Sequence, residues 1–325
     1  MTGLVAVTGA TGFLGRYIVR ALIQNGWRVR ILARAYPVHE QFSDLTFEAV
    51  PGDLSDPDAL RALITGADRI VHAAGLIKAR SAQDFHRVNA QGTANLIAAI
   101  NAQGGASRLL LVSSMAAREP QLSHYASSKN AAEEIIRARL TPPHEWMILR
   151  PSAVYGPWDV ETLGLLKAVS LGVAPRPGGR NARIGLVHAR DLAAAVAAVC
   201  AQGAGGAQYE ITDARQNGYS WEEITAAAAQ ALGIRPIALP LPAWGVRLAG
   251  ALGSIRGQIS RSPVMLTMPK SREILHADWS SSPAKQPPVA LWRPEIGLNC
   301  GFRETIGWYQ SQGWLAGRVN SHQPD

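Results

Sequence analysis

The sequence predicts an α/β protein in which a doubly wound, parallel Rossmann sheet carries a smaller C-terminal substrate lobe. Three observations lead to this prediction. Strand-like and helix-like segments alternate through the first half of the chain, a glycine-rich turn follows the first strand-like segment, and the character of the sequence changes after Pro151. Because parallel strands are joined by right-handed crossovers, the alternation gives a sheet covered by helices on both faces.

Because a glycine-rich turn between a first strand and a first helix is typical of dinucleotide binding, the first half, residues 1–150, is predicted to be the NAD(P)-binding Rossmann domain. Its strand-like runs are rich in aliphatic residues, and the segments between them have helical periodicity. Strands are predicted at 4–7, 28–32, 46–50, 69–72, 108–112 and 146–149, and helices at about 13–25, 57–65, 84–103 and 124–139.

The second half, residues 151–325, is predicted to be mainly a substrate-binding lobe, with segments that return to the Rossmann domain. Prolines cluster at 175–177, 240–242 and 287–288, and seven of the nine tryptophans lie in this half, which favours a looser, separately packed unit. Helices are predicted at about 189–202, 220–232, 243–257 and 301–315, and a short strand at 208–211.

Composition narrows the classes of function. The hydrophobic fraction of 47% supports a sizeable core, so the chain is not globally disordered. The net charge is +8, but zinc-finger, RNA-binding and basic-run motifs are absent, which excludes nucleic acid as the expected partner. Cys200 and Cys300 lack metal-ligand spacing, so we expect no metal and two free thiols in a reducing cytoplasm. The apolar start, Met1 to Thr8, has no basic region before it and is predicted to be a strand rather than a signal peptide.

The glycine turn is the first cofactor motif. Gly9, Gly12 and Gly15 sit three residues apart, between the first strand and the first helix. Glycines let the backbone approach a pyrophosphate, and the helix N-terminus then offers free N–H groups to the phosphates. A purely structural glycine turn is the alternative, and the strand–turn–helix context disfavours it. The residues expected to bind the dinucleotide here are Gly9, Thr11, Gly12, Phe13, Leu14 and Gly15.

The end of the second strand bears on the choice between NAD and NADP. An acid at this point would bind the ribose 2′-OH of NAD, but the sequence has Ala33 followed by Arg34. A guanidinium pairs well with a 2′-phosphate, so NADP(H) is favoured over NAD; a solvated surface arginine is the alternative. Asp53 and Leu54 follow the third strand and are expected near the adenine, although Asp53 can equally serve as a turn or cap residue.

Tyr125 and Lys129 form the candidate catalytic pair. A spacing of four residues puts both side chains on one face of a helix. A phenol has an ordinary pKa of about 10, so we expect the Lys129 ammonium and an oxidised nicotinamide to lower the pKa of Tyr125. Ser113 and Ser114 end the fifth strand, where α/β sheets bind ligands. We predict that Ser114 holds the substrate oxygen and that Ser113 points to the opposite face.

Taken together, these motifs resemble the extended short-chain dehydrogenase/reductases, from Leu4 to about Ala194 and weakly again at the C-terminus. The matching segments are 8–15, Gly52-Asp53-Leu54, His72-Ala73-Ala74-Gly75, 88–93, 112–114, Tyr125 with Lys129, 150–157 and 187–192.

The resemblance implies a role for each matching position. Tyr125 would be the general acid/base, Lys129 its partner and Ser114 the substrate-orienting hydroxyl. Asn89 would support the active-site backbone or a water. The remaining cofactor contacts would come from Ala73, Ala74, Gly75, Pro151 and Val154, the last two beside the nicotinamide carboxamide, with Arg34 where NADPH-preferring reductases use it.

One position departs from the family pattern. Members that bind nucleotide sugars usually carry an arginine four residues before the histidine of the Val-His motif, and here that position is Ile184. Arg183 lies one residue earlier, and on an extended segment this shift turns the side chain to the other face. A nucleotide-sugar substrate is therefore disfavoured.

The C-terminal half contains an acid-free, basic segment between Glu223 and Glu273. Trp244, Leu248, Leu252, Ile255 and Ile259 recur there at helical spacing. The helix can cover the substrate pocket with its apolar side inward, or lie on an anionic membrane surface; the sequence leaves both open.

Both interpretations suit an apolar substrate. The segment is similar to reductases of 3-oxo lipids and hydroxysteroids, with bacterial oxo-ceramide reduction as one candidate. We expect a cytoplasmic NADP-dependent oxidoreductase that reduces a ketone, or oxidises the secondary alcohol, of a lipid-like 3-oxo substrate. Peripheral contact with the inner membrane surface and the oligomeric state are left open. The alternatives are a nucleotide-sugar epimerase or dehydratase and a non-catalytic NADPH-binding scaffold.

Overall fold

The computed structural model describes residues 3–35, 39–79, 81–179, 181–260 and 267–316, and in the helix that ends at Ser260 it describes side chains as far as Ser254. The strands are β1 (Leu4–Thr8), β2 (Arg28–Ala33), β3 (Glu48–Pro51), β4 (Arg69–His72), β5 (Arg108–Val112), β6 (Glu145–Pro151), β7 (Ala153–Tyr155), β8 (Val173–Pro177), β9 (Arg183–Ile184), β10 (Leu186–His188), β11 (Gln208–Ile211), β12 (Ile237–Leu241) and β13 (Asp278–Trp279). The helices are α1 (Phe13–Gln24), α2 (Pro57–Ile64), α3 (Ala82–Phe85), α4 (Gly92–Ala102), α5 (His124–Arg139), α6 (Leu163–Ser170), α7 (Ala189–Gln202), α8 (Trp221–Leu232), α9 (Ala243–Ser260), α10 (Met268–Leu275) and α11 (Leu298–Ser311).

Within the described ranges, seven strands form one sheet in the order β11-β6-β5-β4-β1-β2-β3, and every neighbouring pair is parallel. This confirms the predicted doubly wound Rossmann fold. The strand order reverses beside β1, which pairs with β2 on one side and β4 on the other. Ligands bind at such a switch point, outside the carboxyl ends of the strands.

The two faces of the sheet are covered by different helices. Val5 and Val7 of β1 face the apolar layer that includes α1 and α7. Leu4 and Ala6 face the opposite layer, formed by α2, α4 and α5. This alternation follows from the strand geometry, in which successive side chains point to opposite faces. It fixes the carboxyl edge of the sheet between two buried layers.

The second half contributes to both parts of the molecule. α7 packs against α1, and β11 extends the sheet beside β6. A separate apolar cluster joins α6, α8 and α11 around Tyr155 and Phe302. α8 begins with a capping box, in which Ser220 and Glu223 satisfy each other's backbone N–H groups. Of the described helices, none has the length and apolar character to cross a bilayer.

Two predicted helices differ from the structure. The segment predicted as one helix at 84–103 is divided into α3, a π-helical stretch from His86 to Gln91, and α4. The wider π turn brings Asn89 against the backbone of Leu76, a contact that regular helical periodicity does not reveal. The helix predicted at 301–315 begins earlier, after Gly297, and ends at Ser311.

Candidate active site

The glycine turn closes tightly on the neighbouring strand. Gly9 has φ +75°, and a side chain there would place its Cβ 2.5 Å from the backbone nitrogen of Ala74. A Cβ at Gly15 would overlap the carbonyl oxygen of Gly9. Gly12 is the N-cap of α1, so Thr11, Phe13 and the following backbone surround a helix N-terminus. The turn thus has the open backbone cradle that a pyrophosphate needs, and the residues present fit a dinucleotide.

The loop after β4 borders this cradle. The Ala73 amide donates to the Thr8 carbonyl oxygen over 3.1 Å, and Thr8 Oγ1 accepts from the Ala74 amide over 3.3 Å. A Cβ on Gly75 would lie 3.2 Å from Asn89 Oδ1 and 3.6 Å from Lys129 Nζ. Asn89 accepts from the Leu76 amide and donates to the Leu76 carbonyl oxygen, over 2.7 and 3.0 Å. Asn89 therefore holds the loop backbone directly beside Lys129.

Tyr125 lies in the first turn of α5, and Ser114 follows β5. The Ser114 side chain lies close enough to the Tyr125 phenol to affect its pKa, so the structure brings these two predicted side chains together. The Ser114 hydroxyl also accepts from the Ala116 amide over 3.2 Å. The ring of Phe85 packs beside Tyr125, with centroids 6.1 Å apart. Burial raises the pKa of Tyr125 above its usual value, while the neighbouring Ser114 hydroxyl works to lower it. The phenol is therefore protonated at neutral pH.

Lys129 is buried, and its ammonium donates to the Val112 carbonyl oxygen over 2.7 Å. Burial lowers the pKa of Lys129 to about 8, against the opposing effect of Glu133. The expectation that the Lys129 ammonium and an oxidised nicotinamide together lower the pKa of Tyr125 stays a prediction. In the structure the Lys129 ammonium donates to the end of β5, and the charges with the largest effect on the pKa of Tyr125 belong to other residues.

Those charges lie on α10 and near α6. Lys270 lowers the pKa of Tyr125, whereas Glu273 and Glu161 raise it. Lys270 Nζ lies 3.0 Å from Glu273 Oε2, and the other oxygen of Glu273 accepts a short hydrogen bond from Ser123, the N-cap of α5. Sequence reasoning missed these residues, because nothing in the motif around Tyr125 indicates a partner about 150 positions away.

Ser113 points to the opposite side of β5. Its hydroxyl donates to buried Glu133 over 2.5 Å. Arg150 donates twice to the same carboxylate, over 2.9 and 2.7 Å. Burial works to raise the pKa of Glu133, but Arg150 and Ser113 bring it below its usual value. This network ties β5, β6 and α5 together and leaves Ser114 as the serine beside Tyr125.

At the other end of the candidate cofactor site, Arg34 is exposed just after β2. Asp53 accepts from the Ser55 amide and hydroxyl over 2.7 and 2.6 Å, which lowers its pKa, with a smaller effect from Arg34. Asp56 caps α2. Asp53 is thus a turn residue, and Leu54 packs against Gly92 behind it.

Pro151 and Val154 belong to two successive strands, β6 and β7. Pro151 ends β6 and is buried, and Val154 is in β7, paired with Val187 of β10. His188, which ends β10, caps α7. Ile184, the position that departs from nucleotide-sugar enzymes, pairs through its backbone with Tyr219 and belongs to the apolar cluster of the second half.

A match to a protein-family model assigns the chain to a family. Residues 5–212 match the sequence model of the NAD dependent epimerase/dehydratase family, which is more than half of the chain. The chain belongs to this family. The prediction of an extended short-chain dehydrogenase/reductase is therefore confirmed, and the protein is an NAD(P)-dependent oxidoreductase of that type.

Individual relatives agree with the assignment. The chain is 44% identical over 314 residues to a ceramide reductase of Caulobacter vibrioides, covering 96% of each protein. It is 28% identical over 225 residues to a farnesyl-dihydroquinoline-oxide ketoreductase of Stigmatella aurantiaca, covering 64% of this chain and 67% of the relative. A Thermus thermophilus UDP-glucose 4-epimerase in complex with NAD superimposes with a TM-score of 0.67 at 22% identity, covering 94% and 99% of the two chains. That similarity concerns the fold.

Proposed function

We propose that this protein is an NADPH-dependent reductase that converts a ketone of a lipid-like 3-oxo substrate to a secondary alcohol. The observation that carries the proposal is the placement of Tyr125 beside Ser114, with a buried Lys129 one helical turn further on. The ceramide reductase that shares 44% identity along nearly the whole chain supports the choice of a lipid ketone.

Tyr125 supplies the proton in this proposal. When bound, the reduced nicotinamide supplies the hydride that the carbonyl carbon receives. The Ser114 hydroxyl donates to the substrate oxygen and holds it toward Tyr125. The Tyr125 phenol then protonates that oxygen, and its raised pKa keeps it in the proton-donating form, which favours reduction. Lys129 would hold the nicotinamide ribose and the phenolate left behind, while Asn89 fixes the loop at Leu76.

We assign the cofactor contacts to the residues that border the glycine cradle. Arg34, exposed after β2 where NAD enzymes have an acid, favours the 2′-phosphate of NADPH over NADH. Asp53 and Leu54 would border the adenine. Residues 151–325 would mainly form the substrate-binding lobe, with α7 and β11 returning to the Rossmann domain. The set is Gly9, Thr11, Gly12, Phe13, Leu14, Gly15, Arg34, Asp53, Leu54, Ala73, Ala74, Gly75, Lys129, Pro151 and Val154.

We also propose a cytoplasmic enzyme in peripheral contact with the inner membrane surface. The described cysteines, Cys200 and Cys300, are unpaired, which suits a reducing compartment. A lipid-like substrate resides in membranes, so an enzyme that reduces it benefits from a surface that meets the bilayer.

The experiment is a substrate panel with purified protein. NADPH oxidation is followed with a 3-oxo-ceramide, a 3-oxosteroid, a shorter water-soluble 3-oxo lipid and two nucleotide sugars. We expect turnover of the 3-oxo lipids and none of the sugars, because Ile184 replaces the diphosphate-binding arginine. Efficient turnover of a nucleotide sugar with inert 3-oxo lipids would contradict the proposal. Cofactor binding without turnover of any substrate would indicate the scaffold alternative.

A further inference from the structure

The outer face of α9 is apolar and open to solvent. Trp244, Leu248 and Leu252 lie one turn apart on the same side of the helix, with exposures of 70%, 53% and 59%. The opposite side is buried, because Val246 and Gly250 face inward and Gly250 lies against Ser271 of α10. For the described side chains, the apolar side of the helix therefore faces outward, which favours a surface contact over packing of that side into the interior. Ile255 and Ile259 lie beyond the described side chains.

Neighbouring segments supply further exposed apolar side chains. β12 leads directly into α9, and Ile237 and Leu239 of that strand are 79% and 47% exposed. Leu171, at 82%, stands next to Gly172, whose carbonyl oxygen accepts from the Ile237 amide over 2.8 Å. We refer to Leu171, Ile237, Leu239, Trp244, Leu248 and Leu252 as the α9–β12 face. Six large exposed apolar side chains on adjoining segments are more than scattered surface residues, and they indicate an interaction site.

The segment that carries β12 and α9 has charges of one sign. No aspartate or glutamate occurs between Glu223 and Glu273. Among the described residues of that segment, Arg235 and Arg247 are exposed, and Arg272 follows on α10. Apolar side chains with basic flanks match the interface of an anionic bilayer, where the rings and aliphatic groups enter the acyl boundary and the cations meet the head groups.

The α9–β12 face is connected through α10 to the helix that carries Tyr125. α9 packs on α10, and Glu273 of α10 is hydrogen-bonded to Ser123 at the start of the helix that carries Tyr125. One helix therefore separates the exposed face from the residues that act on Tyr125. The face is therefore connected to the candidate active site through α10.

We propose that the α9–β12 face is a docking surface for an anionic lipid bilayer and that it orients the active site toward the membrane. Only the orienting role rests on the proposed function, in which the substrate is a membrane lipid. The contact itself depends on apolar exposure and charge, and so it can be measured without catalysis.

The test is sedimentation of the full-length protein with lipid vesicles, either phosphatidylcholine alone or phosphatidylcholine mixed with phosphatidylglycerol. Leu248→Asp and Trp244→Asp are compared with wild type. Val289→Asp is the matched control, because Val289 is 76% exposed and lies outside the α9–β12 face. We expect wild type and Val289→Asp to bind the anionic vesicles, with binding weakened by salt, and both α9 variants to lose at least about tenfold in affinity.

Folding and self-association are checked separately. Leu248→Asp should keep the wild-type melting temperature and the wild-type rate on a short, water-soluble 3-oxo substrate, because Leu248 is exposed and is not among the residues assigned to the chemistry. Equal vesicle binding by all variants, or none by wild type, would overturn the proposal. A wild-type dimer that Leu248→Asp dissociates would assign the face to a second copy instead. If no ketone is reduced but Leu248→Asp still loses vesicle binding, the docking surface stands and the proposed reaction fails.

Discussion

The hydroxyl of Ser114 lies beside the Tyr125 phenol and acts to lower its pKa. Ser113, one residue earlier, instead donates to Glu133 on the other side of β5. Adjacent residues at the end of one strand thus have different surroundings, and their substitutions should separate catalysis from stability.

We expect Ser114→Ala to lower kcat/KM by roughly 10²-fold, the usual effect of removing one donor to a developing oxyanion. Ser113→Ala should instead lower the free energy of unfolding by about 1–3 kcal/mol, because it leaves buried Glu133 short of a donor. Steady-state kinetics and urea unfolding of both variants check this. Equal kinetic losses in the two variants would show that the assignment of the serines is wrong.

Glu273 and Lys270 should shift the titration of Tyr125 in opposite directions. Glu273 raises the pKa of Tyr125 and Lys270 lowers it, so Glu273→Gln should move the alkaline limb of the kcat profile to lower pH. Lys270→Met should move it to higher pH. Arg272→Met is the control, since Arg272 is an exposed cation on the same helix. Profiles that do not move in either variant would exclude an electrostatic role for the α10 pair.

Titration of Lys129 should cause a fall near pH 8 in the pH profile of kcat/KM for NADPH. Burial lowers the pKa of Lys129 to about 8, so the ammonium proposed to hold the cofactor ribose is present below that pH and is lost as the pH rises through it. We expect kcat/KM for NADPH to fall above about pH 8. In Lys129→Arg the side chain stays charged, so any remaining activity should lack this limb. The same limb in Lys129→Arg would assign it to another group.

Arg34 should determine cofactor preference. We expect NADPH to bind at least tenfold tighter than NADH, about 1.4 kcal/mol, and Arg34→Ala to remove most of the difference. Titration of both cofactors checks this, with Arg139→Ala as the control because Arg139 is exposed at the far end of α5. Equal affinities of wild type for the two cofactors would refute the preference.

Local patterns predicted the Rossmann half well. The strand runs and the glycine turn depend on residues close in sequence, so their periodicity was informative. The π-helical turn at Asn89 was not predictable, because it is maintained by a contact with Leu76 rather than by propensity. The Glu273–Ser123 hydrogen bond joins positions 150 apart, and only the fold brings them together.

The direction in which the apolar face of α9 points could not be predicted from the sequence. Helical spacing of Trp244, Leu248 and Leu252 identified an apolar face, but periodicity alone does not say whether such a face points inward or outward. Packing of Val246 and Gly250 against the interior decides it, and a glycine that fits against Ser271 carries no apolar signal in the sequence.

The most direct test of the account is NADPH oxidation with a 3-oxo lipid, comparing wild type with Tyr125→Phe. Removing the phenolic proton donor should lower kcat by roughly 10²–10⁴-fold while NADPH still binds. Tyr209→Phe is the control, since Tyr209 lies on the edge strand β11. A Tyr125→Phe enzyme as active as wild type would contradict the central claim that Tyr125 protonates the substrate oxygen.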